Sequence, residues 1–186
     1  MAMNFEELTV ATRDWMLARF EHELASPDPY ASRGLSPAGL AAFPGLMGEA
    51  IRDSGGNEVS LASKLNRDEL WNPTELYVRA GVQHARSVNV REASERLALT
   101  EFNTWYVAGL AHRLVDEGQT ECEVYRAAEP KFEHASCSSH EGQRYSLTEI
   151  IDGHRAGYWP EPGDPTKLSI PAGPGCHHTI RRVSSS

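Results

Sequence analysis

Five of the eight histidines and two of the three cysteines fall between His134 and His178. Within that stretch Cys137 and His140 form a C-x2-H pair, and Cys176-His177-His178 contains a C-x-H pair. Two short-spaced pairs joined by a variable loop are the usual build of a tetrahedral zinc site, because each pair closes on the ion from one tight turn. Cys137, His140, Cys176 and His178 therefore compose a candidate Cys2His2 set, with His134 and His177 as alternates. Four protein ligands would fill the coordination sphere, so the Zn2+ would be structural rather than catalytic. A plainer reading stands beside it: cysteine is often a small buried apolar residue, and histidines gather in polar loops.

Other chemistries find less support. The H-x-E and P-C-x-x-C pattern of zinc deaminases is missing, as are a Walker loop, a G-x-G-x-x-G turn and a G-x-S-x-G elbow. No catalytic residue is assigned. The main alternative is a metal-dependent nuclease or hydrolase, with His134, His140 and His154 forming an open site. Glu121 and Glu123 share one face of a strand and read as a solvated edge rather than an acid–base pair. Trp15, Trp71 and Trp105 lie in helical patterns and are expected in the core. Tyr158 and Trp159 open a proline-rich loop and are the candidate protein-binding anchor.

The elements that must position these residues divide near residue 118. Residues 1–117 read as a helical body. Asn4 is expected to cap a first helix with Glu6 and Glu7 in its first turn, and Ser26-Pro27 to stop it. Ser36-Pro37 opens a second helix that Pro44 should interrupt, and Val59 to Leu65 is a short amphipathic third. From Asn72-Pro73-Thr74-Glu75 to Glu117 the pattern stays helical, subdivided near 72 and 88, with Asn89 and Glu92 as a capping box and Gly118 as the stop. Residues 118–186 read as a small α+β module. It holds strands over Thr120–Arg126, Gln143–Tyr145 and Thr179–Val183, and a short helix opened by Ser146 and Glu149. A loop over 157–175 contains five prolines. The fold class expected is α+β, a helical N-terminal body followed by a small β-rich, zinc-stapled C-terminal module.

Charge narrows the function classes. The net charge is −8, with 13 basic and 21 acidic side chains in residues 1–133 and five of each in 134–186. An acidic body disfavours sequence-specific or general nucleic-acid binding, which relies on clustered Lys and Arg. No apolar run reaches the ~18 residues of a membrane span, and the N-terminus does not read as a signal peptide, so a cytosolic protein without membrane partners is expected.

Arg96, Thr100, Glu101 and Asn103 on a helix precede a short strand. Cys137-x2-His140 with Gly142 and Tyr145 follows, then the proline-rich loop, Pro174-Gly175-Cys176-His177-His178 and a closing strand. This order, over about residues 90–183, resembles the C-terminal region of the phage Mu F-like minor head proteins. In that family a helix with an R-T-E-type motif precedes a C-x2-C, and an H-P-x-C-R-C closes the domain. Here His140 and His178 stand where the family has cysteines, Gly173 where it has histidine, and Leu99 where arginine precedes Thr-Glu. The resemblance implies a structural virion protein at the head or head–tail junction. It would contact portal, capsid or neck proteins, possess a homo-oligomeric option, and reside in the virion and, during assembly, the host cytoplasm. Such a protein is expected to leave apolar helix faces under-buried in the isolated chain. A zinc-stapled cellular adaptor docking through Trp159 is a further alternative.

Overall fold

The structure is a computed structural model that describes residues 2–129, 138–157, 164 and 166–184, with Val78 and Arg79 described by backbone alone. It is mixed α+β. Of three N-terminal helices, α1 (Val10–Leu24), α2 (Pro37–Arg52) and α3 (Glu58–Leu65), the first and third pack on the 27-residue α4 (Val90–Asp116), and α2 packs on those two. A hairpin of β1 (Thr74–Arg79) and β2 (Val82–Ser87) precedes α4. After it come β3 (Glu121–Arg126), β4 (Arg144–Ser146), α5 (Leu147–Asp152) and β5 (His178–Arg182), the strands forming an antiparallel sheet in the order β4-β3-β5.

Helix α4 is the axis of the core. Phe102, Trp105, Tyr106, Leu110 and Leu114 are all at most 1 % exposed. Burial on that scale outweighs the modest propensity of its Thr, Asn and aromatic residues. Helix α1 crosses α4 at Gly109, where a Cβ would lie 2.5 Å from Met16 Cγ and 2.7 Å from its backbone nitrogen. Only glycine allows that approach. On its other side α4 carries the sheet and α5, so Cys122, Val124, Leu147, Ile150 and Ile180 belong to the same continuous core as Met16, Met47 and Leu61.

Several boundaries match their sequence signals. Ser36 caps α2 with Pro37 in its first turn, and Asn89 accepts the Glu92 N–H at the start of α4. Ser146 and Glu149 form the expected reciprocal cap. Gly118 takes φ +79° just past the end of α4.

Three expectations fail, each for a physical reason. Helix α1 begins six residues after Asn4, capped by Thr9. The Asn4 N–H instead bonds Ala127 O at 2.8 Å, so the first residues lie along the end of β3. Glu7, expected to face a helix dipole, pairs with Arg113 and accepts the Arg182 N–H at 2.7 Å. Helix α2 runs through Pro44 because Phe43, Met47, Ala50 and Ile51 are buried on one face, and that packing outweighs the ~3 kcal/mol a mid-helix proline costs. Residues 74–87 are a hairpin, not a helix. Ala80 (φ 52°) and Gly81 (φ 77°) make the two-residue turn with positive φ at both positions that matches the right-handed strand twist. A further expectation, under-buried helix faces, is not met among the described residues: the body buries its apolar stripes within the chain, and Val10, Leu24, Leu40, Val59 and Val115 are scattered exceptions.

Candidate functional site

One turn of α4 carries three buried polar side chains in four residues: Thr100, Glu101 and Asn103, at 4 %, 1 % and 0 % exposure. Each is matched by the C-terminal segment. Thr100 Oγ1 accepts the Gly175 N–H at 3.2 Å, and Asn103 Nδ2 donates to His178 O at 2.9 Å. Glu101 receives both arms of the Arg155 guanidinium at 2.9 and 2.8 Å. Buried polar groups are costly unless paired, so these bonds help fix where residues 155 and 175–178 sit, although Asn103 Oδ1 finds no partner among the described residues.

Arg155 follows α5 with φ +58°, a backbone position uncommon for a non-glycine residue. Its Nε reaches both oxygens of Glu23 on α1, at 3.1 and 3.0 Å, while its plane lies 4.2 Å from the Tyr30 ring centre and 5.1 Å from that of Trp105. Burial alone would lower its pKa, but the charges of Glu101 and Glu23 drive it well above the usual value. Burial alone would raise the Glu23 carboxyl. The hydrogen bond from His154 and the charge of Arg155 outweigh that and hold it below the usual carboxylate range. His154 Nε2 stands 3.1 Å from Glu23 Oε2, and since a carboxylate only accepts, this nitrogen bears the proton.

The predicted metal ligands divide. Cys176 and His178, both 4 % exposed, come together with Sγ 3.9 Å from His178 Nδ1. Two ligands of one tetrahedral zinc lie about 3.6 Å apart. His178 Nε2 faces Glu141 Oε2 at 3.3 Å and donates to it, since a carboxylate only accepts, which leaves Nδ1 on the side of the thiol. A carboxylate behind the remote nitrogen is the usual orienting partner of a metal-bound histidine. Glu141 is steadied in turn by Arg126 at 3.0 Å; although burial would raise its pKa, His178 and then Arg126 bring it below the usual value.

His140 Nδ1 is engaged by the Tyr145 hydroxyl at 2.7 Å, and His177 contributes a backbone carbonyl to Ala127 N–H. His134, Cys137, Tyr158 and Trp159 lie outside the described residues. Among the described residues no group of three or more His, Cys, Asp or Glu side chains is arranged to hold a metal. Of the expected set, the described residues bring Cys176 and His178 together, and none of them joins the pair as a third ligand. His154, grouped with His140 in the open-site alternative, turns to Glu23 and packs at 5.2 Å against Trp105.

In comparisons with known proteins, no family model, no curated protein and no solved structure matches the chain.

Neither of the other reactive candidates is poised for chemistry. Burial, and then Glu121, push the Cys122 thiol up to about 12, far from a neutral-pH nucleophile. Glu123 is tied to Arg181 at 2.5 Å.

Sequence reasoning missed Arg155, Glu23 and Glu141. One signal was present: Glu101 lies four residues from both Leu97 and Trp105, on the apolar stripe of α4. A carboxylate on a buried stripe demands a buried cation. Nothing in the sequence says which arginine supplies it.

Proposed function

We propose that this chain is a structural component of a tailed-phage virion, a minor head or head–tail-junction protein that contacts portal, capsid or neck subunits. The observation that carries the reading is the joining of the resembling segments. Thr100 and Asn103 of the α4 motif bond directly to Gly175 and His178 of the C-terminal motif, so residues 75 positions apart act as one structural unit. A buried tie of this kind serves rigidity, which suits a scaffold more than a catalyst that must open and close.

The surface available for assembly is the β1–β2 arm rather than the helix faces. Leu76, Tyr77 and Val82 are exposed on it, and every residue of β2 is exposed. The reading assigns a structural Zn2+ to Cys137, His140, Cys176 and His178, and the closeness of Cys176 and His178 supports it. Its partner-binding loop is assigned to Tyr158 and Trp159.

Mass spectrometry of purified particles made from the genome that encodes the chain tests the function. Its presence at a copy number far below that of the main capsid subunit is expected. Absence from particles, with the chain abundant in the lysate, overturns the proposal. Metal analysis of the purified chain tests the zinc assignment separately: one zinc per chain is expected, lost in Cys176→Ala and in His178→Ala.

A further inference from the structure

Beside Trp105, α1, α4 and α5 leave a cavity of about 240 Å³. Its walls differ in kind. Ala108, Ile150, Ile151 and Ile170, with the Trp105 ring, make an apolar floor, while Arg19, His22, Glu23, His112 and His154 supply the polar side.

The polar side is unbalanced toward donors. Among the described residues Glu23 is the one carboxylate on the wall, and Arg155 and His154 already occupy it. Arg19 makes no ion pair among the described residues, whereas Arg126, Arg155, Arg181 and Arg182 are each held by at least one carboxylate. The Trp105 indole Nε1 is buried and, among the described residues, has no hydrogen-bond partner. His112 stacks at 5.8 Å on Trp15, and its pKa is depressed by burial, then by Arg19 and His154. A buried donor without an acceptor is costly, and a half-buried arginine lining the same cavity without an ion pair can take an anion.

Size and charge narrow the ligand. A dry cavity of ~150 Å³ holds benzene, so about 240 Å³ accommodates one ring or a branched aliphatic body with a small charged head. A single guanidinium matches one planar carboxylate through two parallel hydrogen bonds, and one cation is few for a doubly charged phosphate. We propose that this cavity binds a small monocarboxylate with a compact apolar body, its carboxylate on Arg19 and its body against Trp105 and Ile150. The inference is independent of the virion reading, since it uses none of the residues that carry it.

Phenylacetate is the probe, titrated into the full chain by calorimetry and by ligand-observed NMR. Phenylacetamide, of the same shape but uncharged, is the control. Phenylacetate is expected to bind with a dissociation constant below about 1 mM, and phenylacetamide at least about tenfold more weakly. Arg19→Ala is expected to weaken phenylacetate by at least about tenfold without lowering the melting temperature, because this arginine carries no structural pair. Ser26→Trp, at the rim and outside α1, should block both compounds while the fold persists. The proposal is overturned if phenylacetate does not bind at about 10 mM, if phenylacetamide binds equally well, or if Arg19→Ala binds phenylacetate as the parent chain does.

Discussion

The molecule contains two antiparallel β units with the same ladder chemistry and opposite surroundings. In the three-stranded sheet, Cys122, Val124 and Ile180 are wholly buried against α4. In the β1–β2 hairpin, Leu76 is 66 % and Val82 57 % exposed, and the arm ends in a two-residue turn. Main-chain bonding alone leaves an isolated hairpin marginal, because its ladder replaces bonds to water; it is burial of one face that makes a sheet cooperative. The sheet is therefore part of the fold's stability. The arm rests on its turn and on Glu75, which holds Arg86 at 2.6 Å and Arg96 at 3.6 Å from the surface. Exposed pairs of this kind contribute little.

The strongest test of that contrast is on the buried side. Glu101→Ala should cost about 3 kcal/mol, since it strips one of the two carboxylates from a guanidinium that is only 12 % exposed. Urea melts measure it. A loss below about 1 kcal/mol would mean that Glu23 alone suffices for Arg155. Next comes Ile180→Ala in β5, expected to cost about 3 kcal/mol through lost transfer energy and the cavity left behind. An unchanged urea midpoint would show that α4 does not stabilise the sheet.

Acid provides a smaller effect with a definite sign. The folded pKa of Glu23 lies below its unfolded value, so its contribution is complete above the ordinary carboxylate pKa near 4.5 and is lost as pH falls through the lower folded value. Glu23→Gln should flatten the fall in stability between about pH 5 and 3 and leave the arm's own exchange behaviour unaltered. A stability–pH curve of equal slope in both proteins would contradict the role assigned to the His154–Glu23–Arg155 chain.

The same contrast explains what could be read in advance. The sheet strands, the α4 and α5 caps and the Gly118 stop were legible because local patterns there agree with burial: Cys122 and Val124 alternate with charged neighbours, and caps obey local hydrogen-bond rules. The hairpin was not. With both faces in water, residues 74–87 carry no alternation imposed by a core, and Asn72-Pro73-Thr74-Glu75 imitates a helix start. The signal that remained was Ala80-Gly81 between Tyr77, Val78 and Val82, a two-residue turn flanked by residues that favour strands. That Cys176 and His178 lie side by side was legible because residues two apart in sequence cannot be far apart. The Glu101–Arg155–Glu23 chain joins three distant elements, and sequence spacing carries no information about such pairings.

The smallest expected effect concerns the arm itself. Leu76→Gln exchanges an exposed apolar side chain for a polar one, and no buried contact is lost, so stability should change by less than about 0.5 kcal/mol in urea melts. Hydrogen exchange sharpens the point. The β2 amides paired to β1 should exchange through local opening at a far lower free energy than those of β3, because the hairpin can separate without breaching the α4 core. If the Gln variant cost more than about 1.5 kcal/mol, or if β2 and β3 amides opened together, the arm would be an integral part of the fold. Leu76 and Val82 would then no longer be free to serve as the docking surface of an assembly protein.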